Sequence, residues 1–138
     1  MALKLSILSP ERKWVESTLV EELTIPTTEG QIQVLPGHAA MIGLLTTGVV
    51  SYRMPDGSIH AGVISTGTFE VAHDEVAVLA ETLELASEID LERAKRAQKT
   101  AEDALKSADM DEHSFKKYQL KLQRALIRQQ LAGKDHAI

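Results

Sequence analysis

Four basic side chains late in the chain, Lys117, Lys121, Arg124 and Arg128, follow one another at spacings of four, three and four residues. On a helix that spacing sets them in one row. A row of ammonium and guanidinium groups grips anions, and arginine does so through paired N–H donors that match a carboxylate or a phosphate. The flanks of the row are apolar. Phe115, Tyr118, Leu122, Ala125 and Leu126 make one stripe beside it, and Leu120, Ile127 and Leu131 make another. A merely solvated face would not need such flanks, so the row predicts docking against an acidic surface. The competing expectation is that both helices of this region simply pack on the rest of the protein.

Other groups that could do chemistry are dispersed. The histidines are His38, His60, His73, His113 and His136; no two stand at i,i+4 and no H-x-H or HExxH occurs, so no metal centre is expected. There is no P-loop, no G-x-G-x-x-G and no G-x-S-x-G elbow. No pair of carboxylates stands out for acid–base work, and the chain has no cysteine for a disulfide, a thiolate nucleophile or a thiolate metal site. An enzyme acting by itself is therefore not expected. One histidine has a distinctive setting, in EGQIQVLPGHAAM over residues 29–41. There Pro36-Gly37 punctuates a turn directly after the alternating Ile32 and Val34, and the turn sets His38 at its edge, facing outward. For a turn histidine the plain expectation is solvation.

The totals bound what these groups can serve. With 138 residues, 43% of them hydrophobic and 25% charged, the chain makes one ordinary domain or two small ones with a packed core. The net charge of −5 hides an asymmetry. Residues 1–88 carry 12 acidic and 4 basic side chains, a balance of −8, whereas residues 115–138 carry 1 acidic and 6 basic, a balance of +5. An acidic body with a basic tail implies an acidic or phosphate-bearing partner for the tail. Nucleic acid is disfavoured, because the basic row is short, aromatic residues are 4% of the chain, and the body would repel a phosphate backbone. No apolar run approaches the roughly 18 residues of a membrane span. The opening MALKLSILSP has neither the apolar block nor the small-residue cleavage site of a signal peptide, and no Arg- and Ser-rich transit segment follows, so a cytosolic bacterial chain is expected.

Two periods divide the chain. From Leu3 to about Leu85 short strands alternate with turn signals: Leu3, Leu5 and Ile7 up to Pro10, Val20–Ile25 up to Pro26, then Ile32 and Val34. Gly48–Arg53 runs through Pro55-Asp56-Gly57 into Ile59–Val63, and Gly67–Ala72 pairs with Glu75–Ala80 across His73-Asp74. This spacing predicts a small antiparallel β-sandwich or barrel over residues 1–86. At Ser87 the period lengthens. Ser87 or Asp90 caps a helix whose apolar face is Leu91, Ala94, Ala97, Ala101, Ala104, Leu105 and Ala108, with Glu92–Arg96 and Glu102–Lys106 as i,i+4 pairs on the other face. A face made mostly of alanine admits a second backbone closely. Residues 107–111 break the helix and recap the next, which runs from about Glu112 to Leu131 with Gly133 as its stop, so residues 87–138 are expected to form an antiparallel two-helix hairpin.

The order sandwich then hairpin, together with particular motifs, resembles the epsilon subunit of bacterial and chloroplast F-type ATP synthases over essentially the whole chain. The motifs are Glu29-Gly30 with Leu35-Pro36-Gly37-His38-Ala39, Gly67 before the last hairpin, and Ile89-Asp90-x-x-Arg93-Ala94 at the first helix. The resemblance implies a non-catalytic subunit of the central rotor stalk, on the cytoplasmic face of the bacterial inner membrane and touching the membrane only through its complex. Its sandwich would bind the gamma subunit and the ring of c subunits, with Glu29 and His38 facing the ring. Its role would be to couple proton translocation to ATP synthesis. Its helices would fold down or extend into the catalytic alpha/beta head to inhibit hydrolysis, with Lys117, Lys121, Arg124 and Arg128 against acidic loops. No cofactor is required, but in some members ATP binds the folded hairpin without being hydrolysed. The matching residues are Glu84, Ile89, Asp90, Arg93, Ala94, Arg124 and Arg128, with Thr100 standing where that pattern has arginine. A free-standing nucleotide-sensing module, keeping Asp90, Arg93, Arg124 and Arg128 without any rotor, is the alternative.

Overall fold

Leu3, Leu5 and Ile7 are completely buried while Lys4 between them is exposed, the period of two that a half-buried strand requires. They belong to β1, Leu3–Leu8. The computed structural model describes residues 2–107 and 110–135. Nine more strands follow: β2 Lys13–Val20, β3 Glu22–Thr27, β4 Gly30–Val34, β5 Met41–Leu45, β6 Gly48–Arg53, β7 Ile59–Ile64, β8 Gly67–Ala72, β9 Glu75–Ala80 and β10 Leu83–Leu85. They form one curled sheet in the order β10-β7-β6-β3-β5-β8-β9-β1-β2, with β4 paired to β3. Among the described residues only β1 and β9 pair in parallel.

The strand β3 is shared between the two halves of the sheet. Its start, Glu22–Thr24, pairs with Arg53–Ser51 of β6, and its end, Thr27, pairs with Leu45 of β5. Pro26 lies between these pairings, so the strand runs through it rather than stopping there as its residue type suggests. A proline there costs no ladder bond to β6, whose last pair is Thr24–Ser51. Inside the curl lie Phe69, Leu23, Ile25, Leu45, Ile64 and Val71, all 2% exposed or less. Each such side chain contributes about 1.5–3 kcal/mol of burial. With no cysteine in the chain, this core is what holds the sandwich.

Two turns carry the strands as expected. His73 and Asp74 both take positive φ, 52° and 60°, which makes the two-residue β8–β9 hairpin turn that matches the twist of its strands. After β4, the His38 N–H donates to the Leu35 carbonyl at 3.1 Å, with Pro36 second in the turn and Gly37 third at φ 87°. The strand β2 has no sequence signal of its own, because a bulge hides its alternation. Leu5 pairs with Thr18 but Ile7 with Val15, and the displaced Ser17 has φ 48° and donates its N–H to the Ser6 hydroxyl at 2.9 Å.

The structure divides into two compact units between Leu85 and Ala86. The second holds a 3₁₀ turn at Ala86–Glu88, then α1, Leu91–Leu105, and α2, Glu112–Asp135. Of the two expected caps Asp90 is the one used: its carboxylate accepts the Arg93 N–H at 3.1 Å. Asp111 caps α2 in the same way, accepting the Ser114 N–H at 2.7 Å, and that bond holds its carboxyl below the usual aspartate range. The hairpin closes on alanine. Ala94, Ala101, Ala125 and Ala132 are at most 2% exposed.

Several expectations are corrected in this unit. Gly133 does not stop α2, which continues to Asp135, an interior glycine costing a helix only about 1 kcal/mol. The pairs Glu92–Arg96 and Glu102–Lys106 give way to Glu92–Lys95 at 3.8 Å and to a Gln98 amide donating to Glu102 at 2.6 Å. The two stripes of α2 are redistributed. Phe115, Leu126 and Leu120 are 43%, 41% and 57% exposed, while Leu131 is buried. With Ala125 and Ala132 in the seam, residues 115 and 126 fall on its flanks. Ala108 of the α1 face and Asp109 of the helix break lie outside the described residues, as does His136.

Candidate functional site

The basic row of α2 converges with α1. Lys121, Arg124 and Arg128 line a cleft of about 380 Å³ together with Arg93 of α1. Its floor and walls include Ala97, Thr100 and Ala101 of α1 and Tyr118 and Ala125 of α2, and no carboxylate is among the lining residues. Small residues make the cleft possible: Ala97 and Thr100 leave room that longer side chains would fill. Arg124 and Arg128 each already take part in an interaction within the fold. Lys121 places its Nζ 5.2 Å from the centre of the Tyr118 ring, and Lys117 places its own at 5.9 Å from the same ring. Lys117 is outside the cleft. Arg93, Lys121, Arg124 and Arg128 thus bring four cationic side chains to one concavity in a protein of net charge −5.

The other residues named for a nucleotide are not among those lining the cleft. Ile89 is half-buried and precedes Asp90, whose carboxylate is engaged in capping α1. Ala94 is completely buried in the alanine seam, one residue beyond Arg93. Glu84 belongs to the other unit, on β10 opposite Val63. Tyr118 was legible only as an apolar stripe residue, although its spacing of three to Lys121 is the signal of a ring carrying a cation.

The sandwich has its own candidate surface. Glu29 is exposed at the tip of the β3–β4 hairpin, where its N–H donates to the Thr27 hydroxyl at 3.2 Å. His38 is half-buried, its Nδ1 2.7 Å from the Ala39 carbonyl, and the Gly37 N–H donates to Asp74 at 2.7 Å, which ties this loop to the β8–β9 turn. The strand pairings also align a row absent from the sequence reading. Leu44, Thr68, Leu79 and Leu8 stand side by side across β5, β8, β9 and β1. Leu44 and Leu79 are 58% and 48% exposed, and Ile42, two residues from Leu44 on the same face, is 76% exposed. These side chains put exposed apolar surface on one face of the sheet, interrupted by Thr68 between Leu44 and Leu79 and by Glu70 opposite Ile42. The run Met41–Leu45 is nearly all apolar, so alternation there cannot tell an inward face from an outward one.

Elsewhere the described residues hold no group of three or more metal-ligating side chains, and no helix long and apolar enough to cross a membrane. On the β6–β7 hairpin the Ser58 hydroxyl donates to Asp56 at 2.6 Å and lies 3.3 Å from His60 Nε2. Serine sits between acid and base there, so histidine is not placed to be activated by aspartate as a nucleophile's base would be.

Relatives match along the whole chain. Residues 2–86 match the family described as ATP synthase, Delta/Epsilon chain, beta-sandwich domain, and residues 87–133 match ATP synthase, Delta/Epsilon chain, long alpha-helix domain. The ATP synthase epsilon chain of Geotalea daltonii is 46% identical over 133 residues, covering 96% of this chain and 95% of its own length. That of Trichlorobacter lovleyi is 45% identical over 132 residues, covering 96% and 94%. Among solved structures, a chain of the Euglena gracilis mitochondrial ATP synthase superposes with a TM-score of 0.83 over 91% of this chain and 78% of that one. At 24% identity this bears on the fold alone.

Proposed function

The chain belongs to the ATP synthase epsilon family, and from that premise we propose that its sandwich anchors it in the central stalk while its hairpin regulates the assembly. The epsilon chain is a non-catalytic subunit, so its contribution is to hold and to gate. In this reading the sandwich binds the gamma subunit through the Ile42, Leu44 and Leu79 row and meets the c-ring through the loops carrying Glu29 and His38. Proton flow through the ring is then transmitted to ATP synthesis. The chain lies at the cytoplasmic face of the inner membrane and reaches the bilayer only through its partners. The observation that carries the anchoring role is that apolar row, 48–76% exposed on an otherwise well-packed sheet.

The hairpin has two tasks in the same reading. Its cation row docks against acidic loops of the catalytic head and restrains hydrolysis, and its cleft takes ATP as a ligand that is not hydrolysed. The four cations and the absence of a lining carboxylate support the second task, and the exposed Phe115, Leu120 and Leu126 beside the row support the first.

Co-purification tests the anchoring. The full chain, co-expressed with gamma and c subunits, is expected to be retained with them, and Ile42→Glu with Leu44→Glu to abolish retention while leaving the circular dichroism spectrum unchanged. Retention undiminished by the double substitution would remove this face from the interface.

A further inference from the structure

The loop that carries His38 is fastened from outside itself. Residues 35–40 join β4 to β5. Within them the His38 N–H donates to the Leu35 carbonyl, which closes the turn, but the Gly37 N–H donates to the Asp74 carboxylate at 2.7 Å, across 37 positions of sequence. Asp74 also accepts the Lys4 N–H at 2.8 Å through its main-chain carbonyl. One residue thus joins the loop and the β8–β9 turn to β1, whose Leu3 and Leu5 are completely buried.

Asp74 is not the residue that its backbone favours most. It takes φ 60° as the second residue of a two-residue turn, a place that glycine fills without steric cost. What aspartate adds there over glycine is a charged acceptor for the Gly37 N–H, and bonds of that kind are among the stronger ones. On the loop so held, His38 Nδ1 meets the Ala39 carbonyl at 2.7 Å. A carbonyl can only accept, so Nδ1 carries the proton and Nε2 of the neutral ring is left as the acceptor.

Resting on the reading that this loop meets the ring of c subunits, we propose that Asp74 is a positioning residue for that contact. It fixes Pro36-Gly37-His38 to the packed sheet before the partner arrives, so His38 docks without a further cost of ordering its loop. Two substitutions separate the carboxylate from the turn. Asp74→Gly keeps the backbone conformation and removes the acceptor, whereas Asp74→Asn keeps an acceptor oxygen and tolerates the same φ.

The test compares these full-length chains with the natural one and with His38→Ala. It follows hydrogen exchange at the Gly37 amide, the denaturant midpoint, and affinity for isolated gamma and for a gamma–c-ring assembly lacking epsilon. In Asp74→Gly the Gly37 amide should exchange about tenfold faster, as loss of one charge-assisted bond implies. Affinity for the ring-containing assembly should fall by about the same factor, because the docking conformation of the loop is less populated. The midpoint and the affinity for gamma alone should stay nearly unchanged, and Asp74→Asn should restore both exchange and affinity. Unchanged Gly37 exchange in Asp74→Gly would overturn the assignment of Asp74. So would an equal loss of affinity for gamma alone, or undiminished affinity for the ring-containing assembly where His38→Ala weakens it; each of these leaves the ring contact standing. His38→Ala without effect on that assembly would overturn both.

Discussion

Gly67 opens β8 opposite Ala80, and a methyl group added there would lie 2.8 Å from the Ala80 Cα and would also overlap the Leu79 carbonyl oxygen. Both are backbone atoms of a paired strand, so neither can swing away. Gly67→Ala is expected to cost the sandwich about 2 kcal/mol or more, measured as a lowered denaturant midpoint with an unchanged slope. An unchanged midpoint would mean that β9 yields at this point. Single residues were legible where one residue type answers one backbone demand. Gly37 in its turn, His73-Asp74 across a two-residue hairpin, and Asp90 as a cap are of that kind. Ser17 was not, because nothing in a serine announces that a bulge will push it to positive φ.

The helices were readable from their alanine face, and their pairing adds a contact that periodicity does not display. The Gln129 amide donates to Gln98, whose own amide donates to Glu102, and both bonds are half-buried at 2.6 Å. Between two alanine-faced helices this polar link fixes the relative position that alanine alone would leave loose. A double-mutant cycle with Gln98→Ala and Gln129→Ala should give a coupling of about 1 kcal/mol in hairpin stability, read from helical circular dichroism during unfolding. Additive effects would show that the seam alone sets the register. The stripes of α2 were assigned less well because the helix pairs through small residues. Of the main stripe Ala125 is buried as expected, whereas Phe115 and Leu126 stay exposed, and the seam takes in Ala132, which neither stripe contained.

Across the whole molecule charge and apolar surface are divided between the units. Residues 1–88 carry the balance of −8 and expose the row of Ile42, Leu44 and Leu79, while the basic balance of +5 sits in residues 115–138 with the cleft. The fold class followed from spacing and motif, and the grouping of Arg93 with Arg124 and Arg128 from the family resemblance. The outward row did not, because it exists only once strands β5, β8, β9 and β1 are laid side by side. A subunit that anchors by one unit and gates by the other should restore both functions when returned to its assembly. The most direct test adds the full chain to an ATP synthase from which the epsilon subunit has been stripped, and follows ATP-driven proton pumping beside ATP hydrolysis. The account predicts that the chain binds, raises the protons pumped per ATP and lowers hydrolysis. An assembly whose pumping and hydrolysis are both unchanged by saturating chain would contradict it.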